Sequence, residues 1–336
     1  MKNYKLIAVL AGGAVFLLAA LGWTVFLDTP APGSRAAEVK IAKGATAGEV
    51  ARLLESQGVI RSAFLFRVVS RVNGYDGRIR AGRYTVPAGL RTDEIARFLA
   101  VTSPRPLEIR VTVAEGLTIT EIASLLERKA VVDSAAFTAF ATSSAIAESL
   151  GVDNATLEGY IYPDTYFIHE GAKAFDVIRM MRGRLTEVLP DSLLTRARKL
   201  GFSLNEMLTL ASLIETEAAS DEERPVISSV FHRRLKAGLP LQANPTVQYA
   251  LGVKRRVYNG DLDVNSPYNT YLRRGLPPGP IANPGMKSIL AALYPADTRY
   301  LYFVSNGSGG HVFSRTLAEH NAAAARYRMQ RAHRSR

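Results

Sequence analysis

Three kinds of hydrophobic pattern follow one another along the chain, and each predicts a different element. From Leu6 to Leu27 the residues LIAVLAGGAVFLLAALGWTVFL carry no charge, and about 20 apolar residues in a helix are enough to cross a bilayer core. That length predicts a retained single-pass anchor, since a cleaved signal peptide has a shorter apolar core. Lys2 and Lys5 precede the run, whereas Asp28 and Arg35 are the first charges after it. The positive-inside rule therefore places residues 1–5 in the cytoplasm and the body of the chain outside.

Beyond a linker at 28–37 the pattern changes to short extended apolar stretches that alternate with amphipathic helices. Val39-Lys-Ile-Ala-Lys-Gly44-Ala-Thr46 leads into Glu49-Val-Ala-Arg-Leu-Leu54, Tyr84-Thr-Val-Pro-Ala-Gly89-Leu-Arg-Thr92 into Glu94-Ile-Ala-Arg-Phe-Leu99, and Val111-Thr-Val-Ala-Glu-Gly116-Leu-Thr118 into Glu121-Ile-Ala-Ser-Leu-Leu126. Each copy reads as strand, glycine turn, threonine cap and helix. A single copy cannot bury its own apolar face, so the three are expected to pack together as one α+β module over 38–130. The module resembles LysM, whose members bind N-acetylglucosamine polymers. A spacer that lifts the next domain off the membrane is the alternative, because a fold without a site carries no function.

Composition narrows the chemistry. None of the 336 residues is cysteine, which excludes a lipidated cysteine, a disulfide framework and a thiolate nucleophile. With 47% hydrophobic and 21% charged residues the exported part is expected to fold. The net charge of +12 is concentrated in part at Arg326, Arg328, Arg331, Arg334 and Arg336, a basic tail over 321–336. Such a tail either attracts anionic headgroups or an acidic polymer, or is simply a solvated terminus. Nucleic acid, which the charge alone would favour, is excluded as a partner by the predicted topology.

The third pattern is a helix with its own start signal. Ser203-Leu-Asn-Glu206 is a capping box, and the helix runs to Glu217, with Met207, Leu208, Leu210, Ala211, Ile214 and Ala218 on its predicted buried arc and Thr209, Ser212 and Thr216 on its wet one. Glu215 and Glu217 fall at opposite margins of the apolar arc, about 160° apart, so they do not form a close pair. A carboxyl held against apolar surface loses hydration of its charged form and its pKa rises toward the range of a proton donor. An ion pair with Arg224, Arg233 or Arg234 is the competing role for either glutamate. Glu222 and Glu223 open the next helix and are expected to favour its positive end.

Three longer segments carry a resemblance: ASLIETEAASDEERPVISSVFHRRLKAGLPLQANPTVQYALG (Ala211 to Gly252), SPYNTYLRRGLPPGPIANPG (Ser266 to Gly285) and YLYFVSNGSGGHVFS (Tyr300 to Ser314), with EGYIYPDTY (Glu158 to Tyr166) upstream. In this order they resemble the MltG (YceG-like) endolytic murein transglycosylases over nearly the whole chain. The resemblance implies cleavage of the MurNAc-GlcNAc β-1,4 bond within nascent glycan strands, with 1,6-anhydro-MurNAc formed and no cofactor or metal. It also implies one catalytic acid, Glu217, with Glu215 as a secondary acid at most. Gln242, Asn244, Thr246, Gln248, Tyr268, Asn269, Thr270 and His311 offer amides, hydroxyls and a ring nitrogen suited to sugar groups. Synthases and division or elongation proteins are the implied partners. Two positions depart from the family pattern: Asn244 stands where an aspartate is usual, and Arg233 adds a cation that either holds Glu217 ionised or faces solvent. A muramidase using Asp261, Asp263 or Glu215 to activate water, and a non-catalytic glycan-binding scaffold, are the rival expectations. The expected architecture is α+β: one transmembrane helix, the LysM-like module, and a mixed α/β catalytic domain over 131–320.

Overall fold

The computed structural model describes residues 35–334 together with Gly13, Ala20, Thr29 and Pro30. The predicted anchor at Leu6–Leu27 therefore lies, save for Gly13 and Ala20, outside the described residues, among which no helix is long and apolar enough to cross a membrane. The described residues form helices and three small two-stranded sheets, an α+β protein that divides into two compact units, residues 1–108 and 109–336.

The first unit contains β1 (Ala37–Ile41), α1 (Ala47–Ser56), α2 (Ala63–Val72), β2 (Gly82–Val86) and α3 (Thr92–Val101). β1 and β2 pair antiparallel with Val39 opposite Tyr84, and strand alternation sends Val39, Ile41, Tyr84 and Val86 into a core with Leu54, Phe66, Ile95 and Leu99. The first copy is capped as expected, Thr46 and Glu49 exchanging a capping box. In the second copy the cap is Arg91, one residue earlier than the predicted Thr92, and Glu94 accepts the Arg91 N–H at 2.8 Å.

The second unit opens with β3 (Glu108–Thr112), α4 (Ile119–Arg128), α5 (Ser134–Ala141), α6 (Ser144–Ser149) and β4 (Thr165–His169). It continues with α7 (Ala174–Val188), α8 (Asp191–Lys199), α9 (Leu204–Glu217), α10 (Arg224–Lys236), α11 (Asn244–Leu251) and a 3-10 turn at Asn259–Asp263. α12 (Met286–Leu293), β5 (Tyr302–Ser305), β6 (His311–Ser314) and α13 (Leu317–Arg334) complete it. Gly44, Gly89 and Gly116 adopt the same left-handed turn, φ 78°, 78° and 77°, where a Cβ would be strained. The third copy thus repeats the local geometry of the others, with Thr118 and Glu121 as its capping box, yet it does not share their core. β3 pairs with β4, and Val111, Val113, Ile122 and Leu126 pack with Tyr160, Ile168 and Leu210. The module expected over 38–130 is corrected accordingly: two copies form the first unit and the third belongs to the second. The partner strand that completes the third copy comes from 165–169, which no local pattern announces.

Helix α9 is the centre of the second unit, touched by α8, α10, α11 and α12. Every residue from Met207 to Ile214 is buried, so the wet arc predicted for this helix is corrected at Thr209 and Ser212, while Thr216 is exposed as expected. Its hydroxyls are satisfied internally: Thr209 donates to the Asn205 carbonyl at 2.7 Å, and Ser212 donates to Thr209 O and accepts from Ile281 N–H.

Candidate active site

The two glutamates that end α9 leave it in opposite directions and meet different chemistry. Glu215 is buried, its side chain 5% exposed, and pairs with Arg224 Nη1 at 2.9 Å. Its second oxygen accepts the Gly285 N–H at 3.0 Å. Arg224 continues the network to Asp221 at 3.1 Å and to Ser288. Of the three arginines named as competitors, Arg224 is the ion-pair partner of Glu215.

Glu217 faces the start of α11. It is half-buried, and among the described residues no cation pairs with it. Loss of hydration lifts its pKa from 4.5 to about 8, opposed only by a hydrogen bond from the Asn244 backbone N–H. The carboxyl is therefore a protonated donor at neutral pH, the state a general acid needs. Arg233 does not alter this: it is exposed and donates to the Thr298 carbonyl. Arg234, by contrast, is buried, bonded to the carbonyls of Leu301, Pro240 and Leu241 and to Gln242 Oε1.

Asn244 and Tyr271 stand beside Glu217. The Tyr271 hydroxyl donates to Asn244 Oδ1 at 2.7 Å, and burial together with the Glu217 carboxylate pushes the Tyr271 pKa to about 12. Asn244 is exposed, and with Oδ1 engaged the group its side chain can still offer a ligand is the NH2 donor. Thr246, Asn269 and Thr270 are different: all three are buried. Thr246 and Thr270 hydroxyls bond each other at 2.9 Å and Thr270 accepts the Ala243 N–H, while Asn269 Nδ2 holds the Leu262 and Val264 carbonyls. Thr246 and Thr270 brace the start of α11 against the 266–271 loop, and Asn269 ties that loop to the end of the 3-10 turn, rather than present atoms to a ligand. Gln248 is held through the Arg255 carbonyl, and Tyr268 packs on Tyr249 with ring centroids 4.9 Å apart. His311 begins β6, bonded to Glu223.

A model of the YceG-like family matches residues 39–326. The chain belongs to the YceG-like family. It is 36% identical over 305 residues to an endolytic murein transglycosylase of Bacillus subtilis, covering 86% of this chain and 84% of that protein. An endolytic murein transglycosylase of Streptococcus pneumoniae is 29% identical, over 94% of this chain and 63% of that one. Among solved structures, that of a yceG-like protein of Listeria monocytogenes superimposes with a TM-score of 0.58 at 32% identity, covering 86% of this chain and 98% of that one.

Two further features of this YceG-like chain escaped the sequence reading. Glu158, in EGYIYPDTY, is buried and accepts from the Ile119 N–H at 3.1 and 3.2 Å and from Asn283 Nδ2 at 2.9 Å. Burial raises its pKa to about 8. Asn283 also donates to Leu117 O and accepts from Ile161 N–H, so this pair ties three distant segments together. The second feature is Glu223, which was expected to serve the start of α10 and instead binds His311. Both partners lie far away in sequence, so no local spacing marks them.

Proposed function

We propose that this chain is a membrane-anchored endolytic lytic transglycosylase that cleaves the MurNAc-GlcNAc β-1,4 bond of peptidoglycan, with Glu217 as its single acid and base. The observation that carries the reading is the contrast at the end of α9: Glu217 is protonated near neutrality without a paired cation, while Glu215 is committed to Arg224 and Gly285. Glu217 donates its proton to the glycosidic oxygen as the bond to C1 breaks. The resulting carboxylate takes the proton of the MurNAc 6-hydroxyl as that oxygen attacks C1, closing a 1,6-anhydro ring and consuming no water. Asn244 offers an amide donor, with no carboxylate at that position to activate a water. Asp261, a candidate base for hydrolysis, is held by Arg255 at 2.6 and 2.9 Å with its pKa lowered to about 2, which disfavours the muramidase reading.

The relatives named as endolytic murein transglycosylases support the same activity. We take Leu6–Leu27 as the single-pass anchor, which limits cutting to strands within reach of the bilayer and favours nascent glycan and its synthases as partners. The test is digestion of purified peptidoglycan with mass analysis of the products. Anhydro ends, each one water lighter than reducing ends, are expected from the wild type and none from Glu217→Gln. Normal cleavage by Glu217→Gln, or reducing ends from the wild type, overturns the proposal. A reporter fused after Arg336 that is active only in the cytoplasm overturns the topology.

A further inference from the structure

Glu223 closes a contact that joins the loop after Glu217 to the β5–β6 hairpin. Its Oε1 accepts the His311 backbone N–H at 2.7 Å, and its Oε2 lies 2.8 Å from His311 Nδ1. Oε2 also accepts the Ala219 N–H at 3.4 Å, two residues beyond Glu217. Both side chains are largely shielded, His311 being 11% and Glu223 16% exposed. The imidazole is held laterally as well, edge-on to Phe303 with centroids 5.3 Å apart. Backbone geometry favours the contact: a Cβ at residue 310 would come 3.0 Å from Glu223 Oε1, so Gly310 lets the carboxylate reach the next residue.

The chemistry of this contact fixes the ring. A carboxylate can only accept, so both groups of His311 that face Glu223 must donate. The His311 hydrogen bonds keep the Glu223 carboxyl ionised, its pKa lowered despite burial. Nδ1 therefore carries the proton, and neutral imidazole has a bare lone pair at Nε2. Among the described residues Nε2 has no hydrogen-bond partner.

We propose that Glu223 is a positioning residue: it locks the His311 imidazole in the Nδ1–H form so that Nε2 accepts a hydrogen bond from a hydroxyl or acetamido N–H of the glycan, one short loop from Glu217. The proposal rests on the Glu217 site reading for its substrate but not for the state of the ring. Behind histidines that ligate a metal, removing such an orienting carboxylate costs about 10-fold or more, and a loss at the lower end of that scale is expected where the histidine only accepts a hydrogen bond.

Long-range proton–nitrogen correlation spectra of histidine-labelled full-length protein read the tautomer, with His311→Gln identifying the signal. The expected wild-type spectrum has Nδ1 protonated and Nε2 bare. In Glu223→Gln the amide can donate as well as accept, so the Nε2–H form gains population, and kcat/KM on peptidoglycan falls about 10-fold. His311→Gln, which keeps an acceptor near the Nε2 position, is expected to retain more activity than His311→Ala. Because Glu223 acts through His311, adding Glu223→Gln to His311→Ala is expected to lower activity little further. A wild-type ring protonated at Nε2, or losses that multiply in the double variant, overturns the inference. The spectrum alone decides where Glu223→Gln does not fold. Failure of the site reading is distinguishable, since it shows as an active Glu217→Gln with the His311 tautomer unchanged.

Discussion

Replacing Glu217 with Gln is expected to stabilise the protein while abolishing its activity, and the size of the gain follows from the site. The carboxyl has a pKa of about 8 in the folded state against an ordinary 4.5. A group whose folded pKa is raised favours folding below the unfolded value and loses that contribution as pH rises through the folded value. At about 1.4 kcal/mol per pKa unit, the ionisable side chain penalises folding by about 3 kcal/mol at pH 7 and about 5 kcal/mol above pH 8. Gln has the same shape, cannot ionise, and still offers a carbonyl to the Asn244 N–H. For a unit of this size the gain at pH 7 corresponds to roughly 5–10 °C in Tm. Calorimetric scans of full-length wild type and Glu217→Gln at pH 5, 7 and 9 check this, and Glu158, common to both, cancels in the difference. The stability difference should be small near pH 4.5, grow to pH 8 and level off above. A variant no more stable than wild type at pH 9, or a difference that shrinks as pH rises, refutes the reasoning.

The same ionisation predicts that kcat/KM on peptidoglycan falls as pH rises past about 8, because Glu217 must start protonated; an undiminished rate at pH 9.5 contradicts this. Arg224→Ala leaves the Glu215 carboxylate buried without its cation and is expected to destabilise by about 3–5 kcal/mol, read by chemical denaturation. Glu215→Gln keeps the Gly285 hydrogen bond and should lose activity only in step with its milder loss of stability. Gly159→Ala places a Cβ 2.3 Å from the Pro280 ring at φ +83°, and neither the ring nor the left-handed backbone can yield cheaply. A loss of about 2–3 kcal/mol in denaturant midpoint analysis is expected.

What the sequence reveals and what it hides follow from the range of each interaction. The start of α9 is legible because Ser203 and Glu206 settle it within one turn. The opposed directions of Glu215 and Glu217 follow from helical geometry alone. The burial of Thr209 and Ser212 is not legible, since a hydroxyl that bonds its own helix looks polar in a sequence but needs no water. Thr246, Asn269 and Thr270 carry the groups expected of a sugar site, yet they spend them on carbonyls and on each other. The repeat of strand, turn and helix is written into each copy, whereas the core each copy joins depends on which strand arrives to pair with it. Glu158 and Glu223 are the most distant cases: their partners lie 125 and 88 residues away.

Those separations have a consequence for the order in which the protein is made. The residues that fill the first core, from Val39 to Leu99, all precede residue 108, so that core waits for no later segment to close. The second unit cannot follow residue by residue, because Asn283 must reach back 166 positions to Leu117 and 125 to Glu158 before its core closes. Until then Glu158 has the Ile119 N–H but not the Asn283 side-chain amide, and α9 lacks α12. A truncated product ending before residue 283 therefore carries Glu217 on an α9 that lacks α12, with the second core open along the helix that bears the acid.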